Sequence, residues 1–298
     1  MPIGKTLEQK AENTRKTSES LKDQAYRIMF ESDEQKKQDN IYKKILMSGD
    51  NGTGKTSLAL FLMTHNLEEN ECIIHIDVDR SGAEIIKDFF ETEKLNNQIR
   101  PFKPIATMER DGATVLDEEG MVNLVTSASA AIQQAIDNGI AVRGIIIDGV
   151  SFLLEYAEAK MRLDKGLDAD SGTQLNVWKI RSQFFREFTS AYMGLDVPVM
   201  FISHEDFIPE GKEKFAEVKK RLIAECSMRI VVYKEPSIEN PNITHYGMVV
   251  KKNRSDIFAV DKSVTFMTVN NETKKIENNY EEAYNLIFPP NSRKKDKE

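Results

Sequence analysis

The chain has 298 residues and a formal net charge of −7, with 40% hydrophobic and 30% charged residues. This length suffices for one large α/β domain, or for one domain with extensions. The acidic balance argues against a chain coated in basic surface. It does not exclude a local basic groove, because affinity for phosphate depends on where the charges lie.

The compartment is indicated by what the chain lacks. No run of residues approaches the apolar length of a membrane span, and residues 1–5 lack the apolar core of a signal peptide. The two cysteines, Cys72 and Cys226, are too few to form a metal cluster by themselves, and both lie in apolar surroundings. They are expected to be buried thiols in a reducing cytoplasm, or in the host cytoplasm if the chain is viral.

Residues 1–40 are polar, carry charges of both signs, and are predicted to form a partly helical N-terminal arm. A core domain is expected over residues 41–288, followed by a charged, disordered tail over residues 289–298. The arm contains an apolar cluster that is too hydrophobic to be left in water: Tyr26, Ile28, Met29 and Phe30. This cluster packs either on its own core domain or on a neighbouring subunit, and the sequence leaves both alternatives open.

Residues 49–56 match the phosphate-binding loop pattern G-x-x-x-x-G-K-[ST] at every position. The apolar run before the loop, 41–47, predicts a short buried strand, and the run after it, 57–63, predicts a helix packed on a sheet. Such a loop points backbone N–H groups at phosphate oxygens, and the helix N-terminus adds positive potential. We therefore predict a nucleoside triphosphate site, with Lys55 at the β- and γ-phosphates and the Thr56 hydroxyl on Mg²⁺. The nucleotide-binding residues would be Gly49, Asp50, Asn51, Gly52, Thr53, Gly54, Lys55, Thr56 and Ser57.

Residues 72–79 form a nearly continuous apolar run that ends in acids, which is typical of a central parallel strand buried on both faces. Ligands of open α/β sheets bind at the carboxyl ends of the strands. Asp77 and Asp79 are therefore expected near the nucleotide, and Asp79 is the stronger candidate for a functional acid. His75, inside the strand, is interpreted as a core histidine with satisfied hydrogen bonds.

A third strand is predicted over residues 102–107, where Pro104 favours an edge position or a short strand. Apolar residues recur at helical spacing over residues 121–136 and predict an amphipathic helix. The pair Asn138–Gly139 is expected to end it. The next apolar run, 143–149, contains three isoleucines followed by Asp148. This is the form of a Walker B strand, so Asp148 is predicted to be a Mg²⁺ ligand together with Thr56.

The second half of the chain begins with two predicted helices, over residues 152–163 and 175–192, the latter with aromatic side chains toward the core. A strand over residues 198–205 ends in polar groups, so His204 is a candidate contact to the γ-phosphate. Three further strand-like runs lie at 229–233, 245–250 and 264–269 without long helices between them. They predict an antiparallel extension of the sheet, closed by a last helix over residues 280–288.

Together, these motifs resemble the RecA/DnaB superfamily of ATPases over roughly residues 40–275. The resemblance implies an α/β fold: a RecA-like P-loop core with a central, mostly parallel sheet flanked by helices, and an antiparallel C-terminal extension. It also implies ATP and Mg²⁺ as cofactors. Asp79 takes the place of the glutamate that activates the attacking water, and His204 takes the place of the sensor that ends the following strand.

The resemblance also implies contacts outside the subunit. Lys252 and Arg254 match the Lys-x-Arg pair that, in the hexameric helicase branch, reaches the neighbouring active site. Residues 205–221 match the DNA-contacting loop, although their interleaved lysines and glutamates also fit a solvated helix face. Within the superfamily, the residues around Asp148 and His204 are similar to those of phage and archaeal-virus RecA-like proteins of single-strand annealing and recombination.

The leading expectation is an ATPase that is stimulated by DNA, binds single-stranded DNA in recombination or annealing, and works as a homo-oligomeric ring or filament. A ring-forming helicase or genome-packaging ATPase is one alternative. A KaiC-like regulatory ATPase without nucleic-acid binding is another, and the acidic balance permits it. A small-molecule kinase would need an arginine-rich lid, and no stretch of the sequence has this composition.

Overall fold

The computed structural model describes residues 43–80, 82, 85–86, 98–110, 112–167, 175–204 and 216–288. The predicted N-terminal arm, the C-terminal tail and most of the predicted DNA-contacting loop lie outside these ranges. None of the helices within them is long and apolar enough to cross a membrane.

Nine strands of the described chain form one sheet, and two more form a separate hairpin. In chain order the strands are β1 (Lys44–Gly49), β2 (Glu71–Asp77), β3 (Ile99–Phe102), β4 (Thr107–Arg110), β5 (Ala113–Leu116), β6 (Ala141–Asp148), β7 (Val199–His204), β8 (Met228–Pro236), β9 (Ile243–Asn253), β10 (Ser263–Asn270) and β11 (Ile276–Asn278). The order across the main sheet is β11-β10-β9-β8-β1-β7-β6-β2-β3, and β4 pairs with β5.

Six adjacent strands of the main sheet, from β8 to β3, run parallel, and β9, β10 and β11 extend it in antiparallel pairs. The helices are α1 (Lys55–Thr64), α2 (Glu118–Asp137), α3 (Val150–Asp164), α4 (Leu175–Met193), α5 (Ala216–Glu225) and α6 (Tyr280–Ile287). The fold class expected from the sequence is therefore confirmed, including the antiparallel C-terminal extension.

Two hydrophobic clusters, one on each face of the sheet, hold the helices in place. Ile45 and Met47 of β1 belong to a cluster with α1 and α6, whereas Leu46 belongs to a second cluster with α2, α3 and α4. Successive side chains of a strand point to opposite faces, so an apolar run such as that of β1 is covered on both sides. The cysteines Cys72 and Cys226 are buried free thiols, as expected, and burial raises the pKa of Cys226 to about 12.

The region between β2 and α2 differs from the prediction. The third strand spans Ile99–Phe102 rather than residues 102–107. Its predicted edge position is confirmed, because β2 is the one described strand with which it pairs. Its outer edge tolerates Pro101, which has no N–H to donate. The chain then forms the β4–β5 hairpin, which turns at Gly112 with φ +77°. The Asp–Gly pair at 111–112 is a hairpin signal that the sequence interpretation passed over.

Candidate functional site

The loop between β1 and α1 has the backbone that its glycines were predicted to provide. Gly52 and Gly54 have φ of +69° and +82°, in the left-handed region that glycine adopts without strain. Gly49 must also be glycine, because a Cβ there would lie 2.1 Å from the Val232 carbonyl oxygen of β8. The N-cap residue of α1, Gly54, makes no side-chain cap hydrogen bond, and the first N–H groups of the helix lie at the loop. Such N–H groups suit a phosphate.

Lys55 lies inside this loop, with only 5% of its surface exposed. Its Nζ donates hydrogen bonds to the carbonyl oxygens of Gly49, at 2.8 Å, and Asp50, at 2.7 Å. The Thr53 hydroxyl donates to the Asp50 carbonyl at 2.8 Å and closes the loop further. The ammonium is therefore fixed at the concave side of the loop, beside the N-terminus of α1.

Thr56 and Asp148 are in direct contact. The Thr56 hydroxyl donates to Asp148 Oδ2 at 2.7 Å, and Asp148 is 1% exposed at the carboxyl end of β6. Its other oxygen, Oδ1, is buried and has no hydrogen-bond partner among the described residues. A hydroxyl and a carboxylate are the hard oxygen ligands that Mg²⁺ prefers, usually with substrate phosphates and water completing the shell. The two residues therefore fit the predicted ion, and no cluster of three His, Cys, Asp or Glu was found in the described ranges.

Two acids follow each other at the end of β2, in different environments. Asp77 lies opposite Asp148 in the parallel register, is 1% exposed, and accepts a hydrogen bond from the Gly82 N–H at 3.1 Å. Burial raises the pKa of Asp77, against the opposing effects of the Gly82 N–H and His75, and with a further increase from Asp79. The Asp79 side chain is more exposed, at 9%, and its Oδ2 lies 3.6 Å from His204 Nε2.

His204 ends β7, the strand between β1 and β6, and lies opposite Gly49 in the register. Its backbone N–H donates to the Ser151 hydroxyl at 3.3 Å, and its ring packs edge-on against Phe152 with centroids 5.8 Å apart. The strand-end positions expected from the sequence therefore converge: the P-loop, Asp148, Asp79 and His204 share one edge of the sheet.

His75 was interpreted as a core histidine with satisfied hydrogen bonds; its core position is confirmed, but the hydrogen bonds are not found among the described residues. The residue is fully buried, yet neither ring nitrogen has a hydrogen-bond partner in the part of the chain that the structure describes. Its register neighbours, Ile146 and Pro101, offer no polar side chain to the ring. The nearest ionisable atom is Asp148 Oδ2, 3.7 Å from Nε2.

Lys234 lies beside the P-loop and was not predicted from the sequence. β8 pairs with β1 only as far as Val231 and then continues past the end of β1 to Pro236. In this overhang Lys234 is exposed, and its Nζ lies 3.4 Å from the position that a Cβ on Gly52 would occupy. The only signal in the sequence was its place two residues beyond Val232, the last buried residue of β8. That place identifies no contact partner unless the order of the strands is known.

Lys252 and Arg254 are not brought to this edge. Lys252 lies opposite Arg229 and Arg254 follows Asn253, near the amino end of β8, whereas the P-loop follows the carboxyl end of β1. Both cations donate to carbonyls at the end of α5: Lys252 to Ile223, Ala224 and the following Cys226, and Arg254 to Ala224. Burial lowers the pKa of Lys252, and Arg254 lowers it further.

The predicted DNA-contacting loop lies mainly outside the described residues. At its described end, Arg221 pairs with Glu225 within α5, with 2.8 Å between Nη2 and Oε1. This is an i,i+4 contact between two half-buried side chains of one helix, and it gives no information about nucleic acid.

Comparisons with known proteins give little further guidance. No family model matches the chain, and no curated protein matches it. Among the solved structures that match is the ATPase domain of another protein, with 15% sequence identity and a TM-score of 0.45. The match covers 80% of this chain and 84% of that one. The substrate and the activity must therefore be inferred from the residues of this chain.

Proposed function

We propose that this protein binds ATP with Mg²⁺ and hydrolyses it. The observation that carries the proposal is the 2.7 Å contact between the Thr56 hydroxyl and Asp148 Oδ2, beside the buried Lys55 ammonium. Thr56 and Lys55 are consecutive in the loop motif, but Asp148 is distant in sequence. A chance match to the loop pattern would not bring a buried carboxylate into contact with the threonine hydroxyl.

Each residue has a distinct role in the proposed reaction. Lys55 binds the β- and γ-phosphates, and the amides at the start of α1 bind phosphate oxygens. Thr56 and Asp148 hold Mg²⁺, which neutralises charge on the phosphates when it is bound. Asp79 orients the attacking water and accepts its proton, and His204, 3.6 Å away, contacts the γ-phosphate. Asp77 is a weaker candidate for this role, because it is buried and already accepts a bond from Gly82.

The test is to compare Lys55→Ala and Asp148→Asn with the parent protein. Lys55→Ala should abolish ATP hydrolysis and weaken nucleotide binding, because it removes the fixed cation of the loop. Asp148→Asn should retain binding without Mg²⁺ but lose Mg²⁺-dependent turnover. Lys262→Ala, which changes an exposed lysine between β9 and β10, is the matched control and should behave like the parent. Hydrolysis by Lys55→Ala at the parent rate would exclude the proposed site.

We also propose that the protein works as an oligomer on single-stranded DNA, in recombination or annealing. Two features support this part: the resemblance of residues 205–221 to a DNA-contacting loop, and the place of Lys252 and Arg254 far from their own P-loop. DNA should stimulate the ATPase, and electron microscopy with ATP should show filaments on single-stranded DNA. Closed rings would favour the helicase or packaging alternative, and an ATPase indifferent to DNA would favour a KaiC-like regulator.

The proposed organisation of the chain follows the sequence: an arm over residues 1–40, a core over 41–288, and a charged tail over 289–298. We place the protein in a cytoplasm, since the free thiols Cys72 and Cys226 suit a reducing compartment. Limited proteolysis should remove the arm and the tail and leave a core that still binds ATP.

A further inference from the structure

His75 lies on the face of β2 that carries the metal-site chemistry. Side chains alternate along a strand, so Ile73, His75 and Asp77 share one face, and Ile73 packs in the cluster that contains α1. Asp77 pairs directly with Asp148 on β6, which places His75 diagonally across from that carboxylate. A diagonal pair is within reach of a long or aromatic side chain. His75 Nε2 accordingly lies 3.7 Å from Asp148 Oδ2.

Several buried polar atoms at this position are unpaired. Both ring nitrogens of His75, Oδ1 of Asp148 and Oδ2 of Asp77 have no hydrogen-bond partner among the described residues. The nearest cation to Asp77 Oδ2 is Lys103 Nζ, at 3.9 Å. Buried polar atoms in native proteins are almost always paired, so a group of unpaired atoms at one functional centre needs an explanation. One explanation is that these atoms find their partners only when Mg²⁺ and the nucleotide are bound.

The His75 ring is enclosed and cannot itself reach a substrate. Gly82 lies against it, since a Cβ on Gly82 would be 2.3 Å from His75 Cε1. The same Gly82 donates its N–H to Asp77 Oδ1 at 3.1 Å, which holds Gly82 in place against the ring. With no exposed surface, the imidazole can act only on its immediate neighbours, of which the Asp148 carboxylate is the one with a catalytic role.

We propose that His75 is a positioning residue that donates an imidazole N–H to Asp148 and so orients this carboxylate toward Mg²⁺. The inference rests on the proposed ATPase site. The present 3.7 Å separation exceeds a hydrogen bond, and a movement of about 0.8 Å would bring it to the usual 2.9 Å. Groups that hydrogen-bond to a metal-ligating side chain fix the orientation of that side chain, and their loss typically weakens metal affinity by about 10- to 100-fold. His75 would then couple the Mg²⁺ site to the strand beside it.

The experiment compares His75→Gln with His75→Met. The two replacements have similar length and volume, but only glutamine has an N–H near the position of the imidazole Nε2. The measured quantity is the factor by which saturating Mg²⁺ tightens ATP binding, obtained by titrating each variant with and without EDTA. We expect equal affinities in EDTA for all proteins. With Mg²⁺, His75→Gln should behave like the parent. In His75→Met, the factor by which Mg²⁺ tightens ATP binding should be about 10-fold smaller than in the parent.

Two controls separate the possible failures. His245→Met changes a histidine on β9 whose Nδ1 lies 3.2 Å from the Thr268 hydroxyl, and it should leave the Mg²⁺ factor unchanged. If the parent itself shows no Mg²⁺ effect, the proposed function fails. If the parent responds and His75→Met responds equally, the positioning role is wrong. Equal losses in His75→Gln and His75→Met, with parent-like thermal melts, would also overturn it. If His75→Met does not fold, His75→Leu replaces it as the variant without a donor.

Discussion

Lys252 and Arg254 have two possible roles that a single set of variants can separate. Within the subunit they bind carbonyls at the end of α5, and in an assembly they are proposed to reach a neighbour's nucleotide. Arg229, opposite Lys252, lies level with Leu46, three residues or about 10 Å before the end of β1 at Gly49, and Arg254 lies two residues further from the P-loop. Both cations are held at carbonyls on the side of the subunit away from the P-loop edge, so we expect no direct contact with their own nucleotide.

The magnitude of the helix-capping role follows from the contacts. The half-buried Lys252 bonds to three carbonyls, and a hydrogen bond to a charged group contributes about 1.5–3 kcal/mol. We expect Lys252→Met to lower the free energy of unfolding by about 2 kcal/mol, which corresponds to a fall in Tm of roughly 4–8 °C. Arg254 is exposed, so Arg254→Ala should cost only about 0.5–1 kcal/mol, or roughly 1–4 °C.

ATPase activity and nucleotide affinity measure the second role. Arg254→Ala should bind ATP like the parent, because its small loss of stability leaves the P-loop edge unchanged. It should lose hydrolysis, because the arginine no longer reaches the nucleotide of the neighbouring subunit. Mixing it with Lys55→Ala should restore some activity, since a mixed interface pairs an intact loop with an intact arginine. Lys251→Ala is the matched control: Lys251 is the neighbour of Lys252, points to the other face of β9, and pairs with Asp261 at 3.0 Å.

Two results would refute this reasoning. Hydrolysis by Arg254→Ala at the parent rate, with only a lower Tm, would leave the two cations with the helix-capping role alone. Absence of rescue in a mixture shown by light scattering to co-assemble would exclude a shared site even if each variant is inactive.

Two further predictions concern the P-loop edge. Asp79→Asn should bind ATP with parent affinity but hydrolyse it at least about 100-fold more slowly in single-turnover phosphate release, since an amide accepts no proton; parent-like turnover would move the role to Asp77. Lys234→Gln should weaken ATP binding about threefold in a nucleotide titration at low salt, with less effect at high salt, because an exposed cation near phosphates contributes modestly. An unchanged affinity would make Lys234 an ordinary surface lysine.

The fold was largely predictable because its strongest elements are local patterns. The loop pattern specified β1 and α1 together, and the apolar run ending in Asp148 specified β6, so both ends of the metal site followed from short stretches. The region before α2 was less predictable. The third strand was placed around Pro104, whereas it ends at Phe102, and the hairpin turn at Gly112 was not recognised.

Of the candidate site, only the residues at the ends of individual β-strands were predictable from the sequence. Asp79, Asp148 and His204 were identified because polar residues that follow buried strands are visible in the sequence. The contacts of His75 and Lys234 were not, since each depends on which strand lies beside another. His75 reaches Asp148 because β2 neighbours β6, and Lys234 reaches Gly52 because β8 neighbours β1. Strand order is a tertiary property that no window of the sequence contains.

The register explains why Asp79, rather than Asp77, can act together with His204. Asp77 and Ile202 lie level with Asp148 on either side of β6, so Asp79 and His204 each extend two residues beyond it, about 7 Å. The chain of β6 leaves the sheet at this point through Gly149, whose φ of +90° is left-handed. A Cβ on Gly149 would lie 3.0 Å from Cβ and the backbone nitrogen of Asp79. Because glycine leaves this space open, the carboxylate and the imidazole approach each other over the end of β6, beyond the Mg²⁺ ligands. In the proposed reaction, this is the position at which we expect the attacking water to be held.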